Sequence, residues 1–349
     1  MSYQQQGVVE PPVVAPGAPP ALEDDILQIE ALSYWQSVWR VFKRDKVAIG
    51  GGVTIVLLIL ACFIGGPAFA HALGHGPDEL FNDAVNIGGI PVGPWSHVST
   101  APYPGAPGHF KSVLFPLGAD SGVGRDEFLR LLYGGQTSLE IAIFATVISV
   151  TFGLLMGATA GYFGGPIDMI ISRLTELIMA FPVLLFIIAL SAVAGPQLNA
   201  ITLGFLPNGV FTLTVVLSVF GWFYPARIAR AQVLSLREKE FVEAARMVGA
   251  SDWRIIRSHL LPHLVAPMIV ISTLAVGGNV LAEAGLSFLG IGIQDPISSW
   301  GTLLEEAPQY YLQDPWLVLW PGLMILITTM SFNLLGDGLR DAFDPRTAN

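Results

Sequence analysis

The sequence predicts an all-α integral membrane protein with six transmembrane helices. Hydrophobic residues make up 52% of the 349 residues, charged residues make up only 13%, and the apolar residues gather in six long runs. A helix needs roughly 20 mostly apolar residues to cross a bilayer, so each run is long enough to span. One cysteine, Cys62, excludes a disulfide framework. The net charge of −10 argues against nucleic acid as a partner.

The region before the first span divides into two parts. Residues 1–32 are rich in proline and contain no basic residue, which predicts a disordered cytoplasmic tail. In residues 33–46, aromatic side chains recur at helical spacing beside four basic residues, which predicts a helix in the membrane interface and contact with lipid. The first span, 47–69, is too long and too far from the N-terminus for a cleavable signal peptide.

Five further spans are predicted at 139–160, 174–194, 210–226, 264–282 and 316–335. They leave external loops at 70–138 and 283–315, a cytoplasmic loop at 227–263 and a cytoplasmic tail at 337–349, with residues 139–336 as the core. Of the 17 Lys and Arg residues, all but the three in 70–138 fall on the side of the two termini. Basic residues favour the cytoplasmic side, so both termini are predicted to be cytoplasmic.

Charged residues are scarce within the predicted spans, where only Glu140 and Glu176 occur, each near an end. A transporter driven by an ion gradient usually keeps an ionisable side chain deep in a span. Neutral polar residues are candidates for lining a pathway: Ser272, Thr273, Asn279, Ser331 and Asn333. The same residues can instead form hydrogen bonds between packed helices. The chain has no GxxxxGK[ST] phosphate-binding loop, so we expect the energy source to lie in another subunit.

Two glycine patterns stand out. Gly153, Gly157 and Gly161 recur at every fourth residue, which predicts close packing of the second span against another helix. Glycines after the fifth span predict a broken or re-entrant segment at the external side. They are Gly285, Gly290 and Gly292.

The cytoplasmic loop contains EFVEAARMVGASDWRIIRSHLLPH, from Glu240 to His263. It predicts two short helices, with a left-handed end at Gly249, a cap at Ser251 and an end near Pro262. The apolar face of the first helix consists of Phe241, Ala244, Ala245 and Val248. An apolar face on a small cytoplasmic projection needs a partner, and docking of a helix into a groove is the natural mode.

This stretch resembles the signature of the inner-membrane permeases of binding-protein-dependent ABC importers: EAA, three residues, G, nine residues, I, one residue, LP. The matching positions are Glu243, Ala244, Ala245, Gly249, Leu261 and Pro262, and His259 stands in place of the isoleucine. The resemblance implies a type I ABC importer permease fold in which these residues couple the chain to an ATPase subunit. ATP and Mg²⁺ would then be bound by partner subunits, with no cofactor in this chain.

Four further stretches resemble the second permease subunit of the dipeptide, oligopeptide and nickel branch: Phe115–Leu139, Gly161–Leu174, Gly285–Gly301 and Asn333–Arg346. Phe115 replaces the histidine usual in that branch. The resemblance implies an inner-membrane transport subunit for peptides, with nickel as an alternative substrate. It also implies a second homologous permease, two ATP-binding subunits and an extracytoplasmic substrate-binding protein as partners.

Other classes of function are less consistent with the residues. An ion-coupled secondary transporter or channel remains the alternative. Four histidines in the external loop invite a metal site, but no cysteine or dense carboxylate cluster accompanies them, so none is predicted. These are His71, His75, His97 and His109. No constellation of catalytic residues is evident, so we do not expect an enzyme.

Overall fold

The computed structural model describes residues 34–86, 88–100, 110–120, 122–201 and 209–344. Within these ranges, five helices are long and apolar enough to cross a membrane, or six if one bent pair of helices is counted as a single span. The predicted tail at 1–32, His109 and the last five residues lie outside the described residues.

The helices and strands are as follows. The helices are α1 (Tyr34–Phe42), α2 (Lys46–Leu73), α3 (Glu127–Phe163), α4 (Gly165–Met179), α5 (Val183–Ile201), α6 (Val210–Gly221), α7 (Phe223–Leu236), α8 (Glu240–Met247), α9 (Asp252–Phe288), α10 (Trp300–Glu306) and α11 (Trp316–Phe343). Antiparallel pairs are formed by β1 (Ser96–Ser99) with β2 (Ser112–Phe115), and by β3 (Ala119–Asp120) with β4 (Arg125–Asp126). One π-helical turn lies in α2 at Ala61–Gly65 and another in α9 at Ile256–Leu260.

The two N-terminal helices are fixed to the last helix. Asp45 begins α2 by accepting hydrogen bonds from the backbone amides of Val47 and Ala48, at 2.9 and 3.0 Å. Ala48 packs directly on Gly338 of α11, where any Cβ would overlap it. The helix predicted over 33–46 is shorter in the structure, where α1 ends at Phe42 and residues 43–45 form a turn into α2.

Glycines determine how closely α3 and α7 approach. A Cβ on Gly157 would overlap the carbonyl oxygen of Ala226, and one on Gly161 would lie 2.8 Å from that of Arg230. Real Cβ atoms do not approach other atoms so closely. The packing predicted from the four-residue glycine spacing is confirmed, and the partner of the second span is α7.

The predicted third span, 174–194, is not one straight helix. The apolar run divides into α4 and α5, which meet at 88° across a break of at most four residues. Pro182 lies at this break, has no amide hydrogen, and disfavours helical backbone at Phe181. Hydropathy alone shows an uninterrupted run here because one proline among apolar residues hardly changes an average over about 19 residues. Asp168 on α4 forms an ion pair with Arg230 on α7.

Several helices continue past the predicted spans. Residues 127–138, within the predicted external loop 70–138, form the beginning of α3, and residues 227–236, within the predicted cytoplasmic loop 227–263, belong to α7. Likewise, α9 continues from 282 to Phe288 and α11 from 335 to Phe343. Hydropathy marks the part of a helix suited to lipid, whereas polar residues extend it where other protein groups or water satisfy them.

The described parts of the loop between α2 and α3 fold around a small core of their own. That core consists of Phe81, Ala84, Val98, Val113, Phe115 and Ala119. His75 stacks on Phe115 at 5.5 Å, and its Nε2 lies 2.8 Å from the Asp126 carboxylate. Because α2 ends at Leu73, His71 and His75 do not share a helix face. Among the described residues, no group of three His, Cys, Asp or Glu side chains is placed to hold a metal ion.

Contacts between helix ends show which segments share an end of the bundle. Trp35 on α1 lies 6.1 Å from Phe343 at the end of α11, and Phe343 lines a groove together with His263 of α9. Both ends of the described chain therefore lie near α8. At the opposite end, Arg125 before α3 contacts Asp295 after α9, at 3.1 Å.

Candidate coupling site and buried polar clusters

Residues 240–262, called the knob below, form a projection built from α8, a turn and the start of α9. Gly249 in the turn has φ +84°, a left-handed conformation that favours glycine. The turn is closed by hydrogen bonds from the amides of Gly249 and Ala250 to the carbonyls of Arg246 and Ala245, at 2.9 and 3.0 Å. The left-handed helix end predicted at Gly249 is confirmed.

The knob has one buried side and one exposed side. On the buried side, Val242 and Ile255 pack against α3, α7 and α9. On the exposed side, Met247 is 83% exposed, Val248 89% and Trp253 61%. Sequence reasoning predicted Val248 but missed Met247 and Trp253, because neither has the spacing of the apolar face.

The predicted apolar face is only partly exposed. Phe241, Ala244 and Val248 face outward, whereas Ala245 is half-buried against the same core as Val242. A helix of eight residues has to use one side for its own packing, and in α8 that side includes Ala245. A substitution at Ala245 therefore disturbs both the fold and any docking. A substitution at Val248 changes an exposed side chain and leaves the fold undisturbed.

The second short helix expected in the knob does not end near Pro262. It is the beginning of α9, which runs without interruption into the membrane-spanning part. The π-helical turn precedes Pro262, and there the Leu261 amide donates to the Ile256 carbonyl. This wider turn accommodates a proline that would otherwise break the helix. Ser251 occupies the capping position but its side chain makes no capping hydrogen bond.

The signature residues fall into two groups. The first group lies on α8 and its turn: Glu243, Ala244, Ala245 and Gly249. The second group lies at the base of the knob, in or beside the π-helical turn: His259, Leu261 and Pro262. His259 and Leu261 are half-buried and Pro262 is exposed. Their role in coupling stays a prediction.

A fully buried carboxylate lies near the C-terminal end of α9. It belongs to Glu283, which is the first residue of the predicted external loop 283–315 and is helical in the structure. The hydroxyls of Ser138 and Ser287 donate to its two oxygens at 2.7 and 2.8 Å, and the Trp300 amide donates to Ser138 at 3.2 Å. The carboxylate thus joins α3, α9 and α10.

The segment after α9 returns into the bundle. Gly290 begins the return with φ +73°, and Trp300 of α10 is fully buried, with its indole nitrogen donating to the Leu131 carbonyl at 3.0 Å. The irregular segment was predicted from glycines, but Gly285 lies inside α9 and does not interrupt it. Trp300 and Glu283 are the missed residues that hold the segment in place.

A buried ion cluster closes the same end of the molecule. Asp120 accepts from Arg125 Nε at 2.8 Å and lies 2.7 Å from Arg130 Nε, and both arginines reach Asp295 at 3.1 and 3.2 Å. Burial raises the pKa of Asp120, although the two arginines favour its ionised form. Burial acts in the same direction on Asp295, but the arginines outweigh it and hold the pKa of Asp295 below its usual value.

The residues predicted to line a pathway differ in their exposure and in their hydrogen-bond partners. Ser331 is buried, Asn333 is exposed, and Asn279 donates to Thr146 of α3 at 2.9 Å. The hydroxyls of Ser272 and Thr273 bond to carbonyls of their own helix. Their role in a pathway stays a prediction, and for Asn279 the interhelical hydrogen bond is the contact seen.

A groove of about 920 Å³ opens between α7, α9 and the end of α11. Val270, Ile271 and Leu274 of α9 form its apolar wall, while Gln232 and Arg340 contribute polar groups. Ser272 and Thr273 are not among its lining residues.

Two families of known proteins match two different parts of the chain. The family described as "binding-protein-dependent transport system inner membrane component" matches residues 149–349, more than half of the chain. The chain belongs to this family. A second family, the N-terminal TM domain of oligopeptide transport permease C, matches residues 33–85 of this inner-membrane component.

Curated relatives of the inner-membrane component match over nearly its full length. The dipeptide transport system permease protein DppC of Alkalihalophilus pseudofirmus is 36% identical over 332 residues, covering 95% of each chain. The oligopeptide transport system permease protein OppC of Haemophilus influenzae is 34% identical, covering 92% of this chain and 91% of its own. The glutathione transport system permease protein GsiD of Pectobacterium atrosepticum is also 34% identical, covering 89% and 91%.

Among solved structures, the methionine ABC transporter MetNI in an inward-facing conformation is similar, with a TM-score of 0.48 and 18% identity over 61% of this chain and 95% of that chain. The sequence matches assign the inner-membrane component to a permease family of ABC importers. It is accordingly a multi-pass membrane protein and a transport subunit, not an enzyme.

Proposed function

We propose that this permease forms half of the translocation pathway of an ATP-driven importer for dipeptides or oligopeptides. The observation that carries the proposal is the near full-length similarity to permeases named for dipeptides, oligopeptides and glutathione. The exposed knob, with the coupling signature on α8 and its turn, supports it independently. The nickel alternative has no support from these relatives, since all three are named for peptides.

The proposed complex contains a second homologous permease, two ATP-binding subunits and an extracytoplasmic binding protein. In this arrangement both termini and the knob lie in the cytoplasm, and ATP and Mg²⁺ are bound by the ATP-binding subunits. Closure of those subunits moves the knob, and α9 carries the movement into the bundle because the helix is continuous from Asp252 to Phe288. Ser272, Thr273 and Asn333 are the candidates for contact with the solute.

The exposed side of the knob is the proposed docking surface for an ATP-binding subunit. Met247, Val248 and Trp253 are large, apolar and mostly exposed, which fits docking into an apolar groove. A charge placed there would be buried without a partner on docking. We therefore expect Val248→Glu to prevent recovery of the ATP-binding subunits while the permease itself remains folded.

Affinity purification from the native membrane, followed by mass spectrometry, tests this. The wild-type chain should recover a second permease and two ATP-binding subunits, and Val248→Glu should lose the latter. Val123→Glu is the matched control, because Val123 is an exposed valine at the opposite end of the molecule. Equal recovery of ATP-binding subunits by both variants would exclude the knob as the docking surface.

An ion-coupled transporter is the second candidate, and one observation favours it: the buried carboxylate of Glu283. Its two oxygens accept hydrogen bonds from serine hydroxyls, which fits a role in holding α10. Reconstituted vesicles separate the two candidates. Uptake that requires ATP and survives a protonophore supports the importer, whereas uptake without ATP that the protonophore abolishes supports the ion-coupled transporter.

A further inference from the structure

The end of α3 is attached to both halves of the knob by one side chain. Tyr162, in the last turn of α3, is 6% exposed, and its hydroxyl lies 2.6 Å from the carboxylate of Asp252 at the start of α9. The guanidinium of Arg246, on α8, lies over the Tyr162 ring at 5.4 Å from its centre. Tyr162 therefore bridges the two helices on either side of the Gly249 turn.

We propose that Tyr162 is a positioning residue that makes α3 move together with the knob, so that ATP-driven motion enters the bundle through two helices instead of one. The inference rests on the proposed function. It adds a route that the coupling signature does not contain, since Tyr162 lies about 80 residues before Glu243 in the chain.

The surrounding contacts make the attachment rigid. Val242 and Ile255 of the knob lie in the same buried apolar cluster as Tyr162. One residue earlier, the Gly161 carbonyl accepts a hydrogen bond from Arg237 at 3.0 Å, which joins the end of α3 to the residue that follows α7. Apolar packing alone would allow the knob to slide, whereas a directional hydrogen bond to a carboxylate fixes its orientation.

The proposed route through α3 differs from the route through α9 in the regularity of the helix and in the distance over which it extends. In α9, the π-helical turn lies between the knob and the membrane-spanning part, and such turns are common where helices are irregular or bend. By contrast, α3 contains no such turn and is α-helical throughout, from Glu127 to Phe163. Tyr162 and Arg130 are separated by roughly 48 Å along it, at about 1.5 Å per residue. A shift at the knob thus reaches the ion cluster and Ser138 through one helix.

The experiment compares solute imported per ATP hydrolysed in the full reconstituted complex. Tyr162→Phe keeps the ring and removes the hydroxyl, and Asp252→Ala removes the acceptor. We expect each to lower this ratio by roughly tenfold, the order expected for a lost hydrogen bond to a charged group. Asp252→Asn retains an oxygen acceptor but loses the charge, so it should lower the ratio by less than Asp252→Ala does.

Tyr224→Phe is the matched control, because Tyr224 is 61% exposed on α7. Asp252 is exposed, so substitutions at this position should leave folding undisturbed. They therefore test the inference even if Tyr162→Phe reduces assembly of the complex. Wild-type ratios in assembled Tyr162→Phe and Asp252→Ala complexes would overturn this inference and leave the proposed function intact. Failure of the wild-type chain to recover ATP-binding subunits would overturn both.

Discussion

Replacing Arg130 by methionine tests how much the buried ion cluster contributes to stability. Arg130 is 1% exposed and contacts Asp120, Asp295 and Asp78, at 2.7, 3.2 and 3.1 Å. Asp295 and Asp78 have side chains that are 49% and 53% exposed, so water compensates most of their loss. The cost is therefore concentrated on the buried Asp120, which keeps only Arg125.

Breaking a buried ion pair costs about 3–5 kcal/mol, and the remaining Arg125 places this case near the lower end, at about 3 kcal/mol. For a chain of this size that corresponds to a fall in Tm of roughly 5 °C. Arg173→Met is the control, because the side chain of Arg173 is 78% exposed in its pair with Glu176. Exposed pairs contribute about 0–1 kcal/mol, so its Tm should barely change.

The loss of Tm caused by Arg130→Met should depend on pH, in a direction set by the pKa of Asp120. Burial raises the pKa of Asp120 above its unfolded value, so the ionised carboxylate costs stability above the folded pKa. The cost begins to fall as the pH drops through the folded pKa and is absent below the unfolded pKa. Removing Arg130 raises the folded pKa further. The Tm gap between Arg130→Met and wild type should therefore narrow as the pH is lowered.

Size-exclusion chromatography of the detergent-solubilised, fluorescently tagged chain after heating gives these Tm values. Asp120→Asn added to Arg130→Met should recover part of the lost Tm, because it removes the buried charge that has lost one of its two arginine partners. Equal Tm losses for Arg130→Met and Arg173→Met, or a gap that widens at lower pH, would refute the assignment of the cost to Asp120.

Two further predictions use matched pairs in the same assay. Gly157→Ala should lower stability by about 1–3 kcal/mol because its Cβ overlaps the α7 backbone, whereas Gly278→Ala, with open space around its Cβ, should be neutral or slightly stabilising. Ser138→Ala should cost about 1.5–3 kcal/mol by removing a donor from the buried Glu283, while Ser272→Ala, whose hydroxyl bonds only its own helix, should cost under about 0.5 kcal/mol. The reverse order within either pair would contradict the packing described.

Much of the fold could be predicted from hydropathy and spacing. The features that could not be predicted were missed for physical reasons. Apolar runs located the membrane-spanning helices, and the Gly249 turn was predictable because only one residue type suits its backbone. The bend before α5 was missed because a single proline, Pro182, hardly lowers a hydropathy average taken over about 19 residues, whereas its effect on the backbone is local. The ends of α3 and α9 were missed because a hydropathy window stops where polar residues begin, even when the helix continues.

The polar clusters were not predictable for a different reason. Asp120 and Asp295 are far apart in sequence, and only the folded chain brings them to the same two arginines. Glu283 lies one residue beyond the predicted span, so its burial depended on knowing that α9 continues and that α10 returns to cover it. The turn at the centre of the knob, whose residues are close in sequence, was correspondingly easier to predict.

The length of α3 affects how the protein responds to bilayers of different thickness. Its 37 residues extend over about 55 Å, well beyond a hydrocarbon core of about 30 Å. Because both its ends are held by protein contacts outside the apolar stretch, a thicker or thinner bilayer changes the tilt of α3 and leaves the distance between those contacts the same. Lipid chain length should therefore affect how the transporter is sorted or oriented among membranes more than how well it couples.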